Sequence, residues 1–415
     1  MSTYFRYNGP HLCADELPLA QIAREWGTPC YVYGEPVLLD NYRALADAFS
    51  RRRGEVCYAV KANSTLAVLS SLARAGSGFD IVSGGELARV LRAGGEASRV
   101  VFSGACKLPD EIRDALLAGV RCLNVESASE LATIDRIAGE LGRIAPVALR
   151  VNPDVDGSTH PHISTGMNEH KFGISMARAR TLAFEAARMQ NVSLDGIGCH
   201  IGSQLLDLAP LALASEALAD LTRELQAADI KLSHIDVGGG LGIPQRDNPA
   251  PAFDDYVDAV TAPLADLDVD ILSEPGRTIV GPAGIMLTRV IYLKRRADHS
   301  FALVDGAMND LLRPALYAAW HDILPCRRDP DARPELLDVV GPVCETADFL
   351  GRGRRLAVEE GDLLAVMDAG AYGFTMASNY NSRPRCAEVM VTPAGPVLAR
   401  ARETVDDLMR GEAAS

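Results

Sequence analysis

The chain of 415 residues is short of positive charge: 41 Lys and Arg stand against 55 Asp and Glu, a formal net charge of −14. That balance argues against nucleic acid and anionic membranes as partners, because both need a basic footprint. The short runs "RRRG" at Arg51 and "RGRR" at Arg352 are too brief to reverse it and read as solvated surface. No uninterrupted apolar run reaches membrane-spanning length, which excludes a spanning helix. The opening "MSTYFRYNGP" lacks a basic region followed by an apolar core, so no secretory signal is expected. Nine cysteines, an odd number without close pairs, predict reduced thiols rather than a disulfide framework. The expected location is therefore cytoplasmic. "HPH" at His160 to His162 offers two imidazoles without an evident third ligand, a poor zinc site, so no metal is expected.

What the chain does have is 48% hydrophobic residues arranged in a repeating texture. Eight short apolar segments each end in a polar or glycine-rich group. They are "CYAVKAN" from Cys57, "FDIVSGGE" from Phe79, "VVFSG" from Val100, "CLNVES" from Cys122, "VALRVNP" from Val147, "LDGIGCHIGS" from Leu194, "HIDVGGG" from His234 and "DILSEPGR" from Asp270. Stretches with helical spacing, such as "TLAVLSSLARAG", separate most of them and close on glycine. Eight such alternations with nearly continuous apolar strands predict a (β/α)8 barrel over residues 36–284. Beyond about Gly284 the segments "RVIYLKR", "SFALVDG", "DLLAVMDAG" and "CAEVMVT" alternate and are divided by Gly, Pro and Asp. That reads as a β-rich domain over 285–415, joined by residues 1–35 because chain termini are often close together.

Lys61 poses the sharpest question, since it closes a strand that otherwise reads as buried. Snorkelling to the surface is the plain reading, and an amine kept for imine chemistry is the other. The barrel tilts the choice, because in such barrels the residues ending the strands surround one pocket. Those residues are Lys61, Asp80, Ser103, Glu126, Asn152, His200, the run Gly238-Gly239-Gly240, and Glu274 with Arg277. An aldehyde cofactor such as pyridoxal phosphate needs a phosphate cradle, a partner for its ring nitrogen and a packed face. The glycine run and "EPGR" suit the first, Glu274 the second, and His200 the third.

On those motifs the chain resembles the fold-type III pyridoxal-phosphate decarboxylases, most closely the diaminopimelate decarboxylase family. The likeness runs from "YAVKAN" through "HIGSQ", "DVGGGLGI", "EPGR", "RPALY" and "GPVCETADFL" to "GAYGFTMASNYNSRP". It implies a barrel followed by a β domain, and a homodimer with shared active sites. It also implies decarboxylation of meso-2,6-diaminopimelate to L-lysine and CO2, the last step of lysine biosynthesis. By the same resemblance Lys61 would be the Schiff-base lysine and His200 would stack on the ring. Asp80 would border the cofactor, and Ser203, Gly238, Gly239, Gly240, Gly276 and Arg277 would hold its phosphate. Glu274 would face the pyridine nitrogen and Tyr372 would complete the cofactor site. Arg277, Arg313, Tyr317, Glu345 and Tyr372 would hold substrate, with Cys344 and Glu345 reaching into the partner's site. Cys344 would reprotonate the α-carbon. The segment Ser158 to Gly173 resembles the diaminopimelate form of its loop. Sibling decarboxylases of ornithine, arginine or carboxynorspermidine, and a non-catalytic relative of the same fold, are the alternatives. The second would be expected to lack Lys61, Glu274 or Cys344, and all three are present.

Overall fold

A computed structural model describes residues 4–155, 171–246 and 248–413. The eight apolar segments become eight parallel strands. β1 spans Gly54–Ala59, β2 Gly78–Ile81, β3 Val100–Phe102, β4 Cys122–Val125, β5 Ala145–Asn152, β6 Val192–Gly198, β7 His234–Asp236 and β8 Asp270–Ser273. They pair in sequence from β1 to β8, and β8 returns to β1 through Ile271 opposite Gly54, so the sheet closes. Closure explains why the strands show little alternation: one side fills the barrel and the other meets the helix layer. Cys57, Val101 and Leu272 pack together, each wholly buried.

Helices separate most of the strands, as the glycine-closed repeats predict. Ser83 and Ser127 cap two of them by accepting from Glu86 N–H and Glu130 N–H, and Gly119 and Gly142 end two in the left-handed region. A short strand, Ile174–Ser175, adds to β5 outside the closed set.

By its internal contacts the chain divides into two units. One is Asn41–Ile243 with Pro249–Thr278; the other is Met1–Asp40, Pro244–Asn248 and Ile279–Ser415. The second unit is built on antiparallel strands, with the long strand Gly284–Arg295 at its centre. The N-terminal strand Cys30–Gly34 pairs antiparallel with that strand and parallel with Ala387–Thr392. Its core gathers Val32, Ile285, Leu287, Ala365 and Val389, all essentially inaccessible. The N-terminal segment is thus a sheet strand of this unit, consistent with a β domain built from both ends of the chain.

All nine cysteines are free thiols. Among the described residues no helix is long and apolar enough to cross a membrane, and no cluster of His, Cys, Asp and Glu could hold a metal. His160, His162 and the rest of the loop read from the sequence up to His170 lie outside the described residues.

Candidate active site

The C-terminal ends of the strands surround a cavity of about 430 Å3, bordered by Lys61, Ser103, Asn124, His200, Asp236 and Glu274, among others. Lys61 arrives there because β1 stops at Ala59, whose N–H donates to Pro275 O at 3.0 Å, and a single 3-10 turn, Val60–Ala62, follows. Its amine donates to Asp80 Oδ2 at 2.5 Å. The pairing follows from register, since Asp80 on β2 stands opposite Ala59 on β1. The Lys61 side chain keeps 33% of its surface accessible while that of Asp80 keeps none. A lysine that only escaped burial would not need a fully buried carboxylate beside it. Asp80 Oδ1 is buried without a hydrogen-bond partner among the described residues.

Glu274 follows β8 and lies deep in the cavity. Its Oε1 accepts from Ser103 Oγ at 3.2 Å and, at 3.5 Å, from Asn124 Nδ2, which also donates to Ser103 Oγ. Burial, then Asp236 and Asp80, push the Glu274 carboxyl well above the usual carboxylate range. Asp236, at the end of β7, is pushed up to about 6, first by burial. Two acids this close and this buried resist losing both protons.

His200 follows β6 and is held near neutrality. Burial, then the Lys61 and Arg150 charges, depress its pKa well below the ordinary imidazole value. Gly239 N–H donates to its Nδ1 at 3.2 Å, so the neutral ring carries its proton on Nε2. The glycine run is needed for that approach. Gly238 adopts φ +69°, and a Cβ on it would lie 2.3 Å from Cys199 O. One on Gly239 would meet Glu274 O at 2.2 Å. Three strand-end segments therefore interlock backbone to backbone, and no side chain fits between them. Gly240 continues the turn at φ +110°.

Ser203 and Arg277 form a pair in the same unit, Arg277 Nη2 donating to Ser203 Oγ at 3.0 Å. Gly276 lets that corner close on the lysine turn, because a Cβ there would meet Ala62 Cβ at 2.8 Å. Lys61, Asp80, His200, Ser203, Gly238, Gly239, Gly240, Glu274, Gly276 and Arg277 thus all stand at the strand ends of the barrel unit.

The remaining candidates belong to the second unit. Arg313 opens the short helix Arg313–Tyr317, and its guanidinium carbon lies 5.4 Å from the Tyr317 ring centre and 5.9 Å from that of Tyr372. Tyr372 sits on a turn at φ +55°. Cys344 and Glu345 stand on an exposed loop: Cys344 N–H donates to Asn381 Oδ1 at 2.9 Å, and Tyr380 OH donates to Glu345 Oε1 at 2.8 Å.

Three cavity residues were not singled out from the sequence. Asn124 and Asp236 sit inside segments read as strands, and their only signal was a polar residue in an apolar run. Arg150 lies beneath Phe172, 4.9 Å from its ring centre, and donates to Glu126 Oε1 at 2.6 Å. Its signal was a charge within "VALRVNP".

A lysine amine at the mouth, a neutral flat ring, a buried carboxyl and an unmatched Asp80 oxygen fit a bound pyridoxal group in chemistry and size. Comparison with known proteins agrees. The family described as "Pyridoxal-dependent decarboxylase, pyridoxal binding domain" matches residues 38–281. A diaminopimelate decarboxylase of Pseudomonas fluorescens is 52% identical over 98% of both chains. Among solved structures, diaminopimelate decarboxylase of Helicobacter pylori complexed with L-lysine is 40% identical, with a TM-score of 0.91 over 94% of this chain and 98% of that one. That of M. jannaschii in co-complex with L-lysine is 37% identical, with a TM-score of 0.94 over 99% and 98%. By these measures the chain belongs to the pyridoxal-dependent decarboxylases, in the diaminopimelate decarboxylase family.

Proposed function

We propose that this chain is a carboxy-lyase that converts meso-2,6-diaminopimelate to L-lysine and CO2, with pyridoxal phosphate in the barrel cavity. The observation that carries the reading is the convergence of Lys61, His200 and Glu274 on one cavity of about 430 Å3. The near-full-length identity to diaminopimelate decarboxylases supports the substrate.

When bound, pyridoxal phosphate supplies an aldehyde that condenses with amines and a ring that draws off the electron pair left by a departing carboxylate. The chain's own residues do the rest. Lys61 would hold the aldehyde, and Asp80 keeps its amine at the strand end. Glu274 would serve the ring nitrogen, where a carboxylate favours the protonated ring. An arginine there would oppose that charge. His200 would pack on the ring, and being neutral it would add none of the repulsion an imidazolium brings. Ser203, the glycine run, Gly276 and Arg277 would take the phosphate through backbone N–H groups and a guanidinium. Tyr372 would complete the cofactor site.

Substrate recognition falls to Arg277, Arg313, Tyr317, Tyr372 and Glu345. The distal end of meso-diaminopimelate carries both a carboxylate and an ammonium. Guanidinium forks match the first and Glu345 the second. Cys344 returns a proton to the α-carbon after CO2 leaves, a task for a positioned proton donor. We infer a homodimer in which Cys344 and Glu345 serve the partner's cavity, their exposure on this chain supporting that placement. We also infer a cytoplasmic location, which nine free thiols suit.

The test is CO2 release from meso-diaminopimelate, ornithine, arginine and carboxynorspermidine by the purified protein. Turnover of meso-diaminopimelate at least about a hundredfold more efficient than of the others is expected, because an unpaired buried arginine penalises analogues lacking the distal carboxylate. Preference for ornithine or arginine would overturn the assignment.

A further inference from the structure

A second cavity, of about 370 Å3, lies within the second unit against the helix Arg313–Tyr317 and the turn after it. Arg246, Arg352 and Arg354 border it, and the rest of its wall is Pro, Ala, Gly, Leu, Phe349 and Trp320, with no carboxylate among the described residues. Elsewhere arginines face acids: Arg99 and Arg121 share Glu55, and Arg385 pairs with Glu403. Here they stack on rings instead. The guanidinium carbons of Arg246 and Arg354 lie 4.0 and 3.1 Å from the Trp320 ring centre, and that of Arg352 lies 4.0 Å from Phe349.

Arg354 is the most constrained of the three. It is 6% exposed, and its Nε is buried with no hydrogen-bond partner among the described residues. The nearby Asp322 carboxylate accepts from Trp320 Nε1 at 2.8 Å. Burial lowers the Arg354 pKa to about 10, the Asp322 charge opposing the shift and Arg246 adding to it. Three like charges converge on one hollow in a chain whose net charge is −14. Arg246 and Arg352 are exposed and hydrated, whereas Arg354 is desolvated and its buried Nε lacks a partner among the described residues, a cost that an anion in the hollow would offset.

We propose that this cavity is a second ligand site, which takes a small anion with a carboxylate or phosphate head on an apolar body. The guanidinium forks match either head bidentately. The volume is within the range of small-molecule pockets, and the wall of Ala315, Ala318 and Ala319 opposes an apolar flank rather than water. The buried Nε of Arg354 supplies the donor that would otherwise stay unmet.

Trp320 is one of two tryptophans, so its emission reports the site in a holoenzyme carrying Trp26→Phe. Phenyl phosphate, phthalate and inorganic phosphate are titrated at constant ionic strength. Saturable emission changes with Kd below about 1 mM are expected for phenyl phosphate or phthalate, the tighter of the two naming the head group. Inorganic phosphate should bind at least about tenfold more weakly for want of an apolar flank. Arg246 and Arg352 are exposed, so Arg246→Glu with Arg352→Glu should fold and weaken binding at least about tenfold. No saturable change up to about 10 mM of either aromatic probe, or an unchanged Kd in the double variant, overturns the site. Equal affinity for inorganic phosphate overturns the apolar body. Because the readout is Trp320 emission and not turnover, none of these outcomes depends on the decarboxylase reading.

Discussion

The barrel unit and the β unit hold their candidate residues in different ways. In the barrel the polar groups brace one another: Lys61 against Asp80, Glu274 against Ser103 and Asn124, Arg150 against Glu126. Each stands at or near the end of a strand in a closed sheet, so its position is inherited from eight registers at once. In the β unit Arg313 rests on two tyrosine rings from a five-residue helix and a turn. Cys344 and Glu345 stand on an exposed loop tethered by Asn381 and Tyr380. A closed barrel can preorganise charges internally, because its low-dielectric interior strengthens each pair and leaves no unpaired one cheap. An exposed loop cannot, and its residues need another surface to become dry. The difference suits the proposed roles, in which the barrel supplies most of the residues for the cofactor and the β unit most of those for the substrate, Tyr372 and Arg277 serving across that split.

The largest break in that comparison is Lys61→Ala. It should remove the cofactor's covalent link and lower turnover by at least about three orders of magnitude, as loss of a covalent catalyst does. Mass spectrometry after borohydride reduction and digestion should find the adduct on the peptide containing Lys61. An adduct on Lys107 or Lys171 would move the linkage elsewhere.

Arg313→Leu attacks the other half. Losing a buried charged partner of the distal carboxylate should lower kcat/KM for meso-diaminopimelate by at least about two orders of magnitude. Absorbance of the bound cofactor should persist, since Arg313 is not assigned to the cofactor. A variant that sheds its cofactor would overturn its assignment to the distal carboxylate.

Cys344→Ala should cost about a hundredfold in turnover if its thiol is the general acid. Mixed with Lys61→Ala under subunit exchange, it should recover up to about a quarter of wild-type activity per total site, the share expected when equal amounts pair at random into symmetric dimers. If Cys344 serves the partner's site, each mixed dimer would collect both lesions in one site and neither in the other. No recovery despite proven exchange would assign Cys344 to its own subunit's cavity.

The smallest effect is expected from Ser103→Ala, which removes one donor from Glu274. One hydrogen bond to a carboxylate is worth on the order of 1 kcal/mol, so kcat should fall about fivefold with KM nearly unchanged. A rise in KM alone would mean that Ser103 contacts substrate rather than positioning Glu274.

Much of the barrel was legible because closure imposes a pattern on composition. A strand buried on both sides must be continuously apolar, so the polar residue that ends it stands out, as Lys61, His200 and Glu274 do. Asn124 and Asp236 did not, because a polar residue inside an apolar run looks the same whether it faces the barrel interior or the helix layer. The arginine-bordered cavity of the β unit showed only as the run "RGRR" at Arg352, read as solvated surface, whereas Arg354 within it is buried. Arg246 and Arg354 are 108 positions apart in the chain and met on Trp320 only through folding.

What the sequence determined by itself was the repeat of strand and helix, the strand-end residues and the motifs that carry the family likeness. These are local properties: periodicity, turn chemistry and residue type. What only the tertiary structure decided was charge state and partnership. Asp80 lies 19 positions from Lys61, yet it is their opposed registers that put a buried carboxylate on the amine. His200 is neutral because of burial first and then the Lys61 and Arg150 charges, and Glu274 is hard to ionise because of burial first and then Asp236 and Asp80 from other strands. Coulomb energy and desolvation depend on distance in space and on exclusion of water, and neither quantity exists until the barrel has closed.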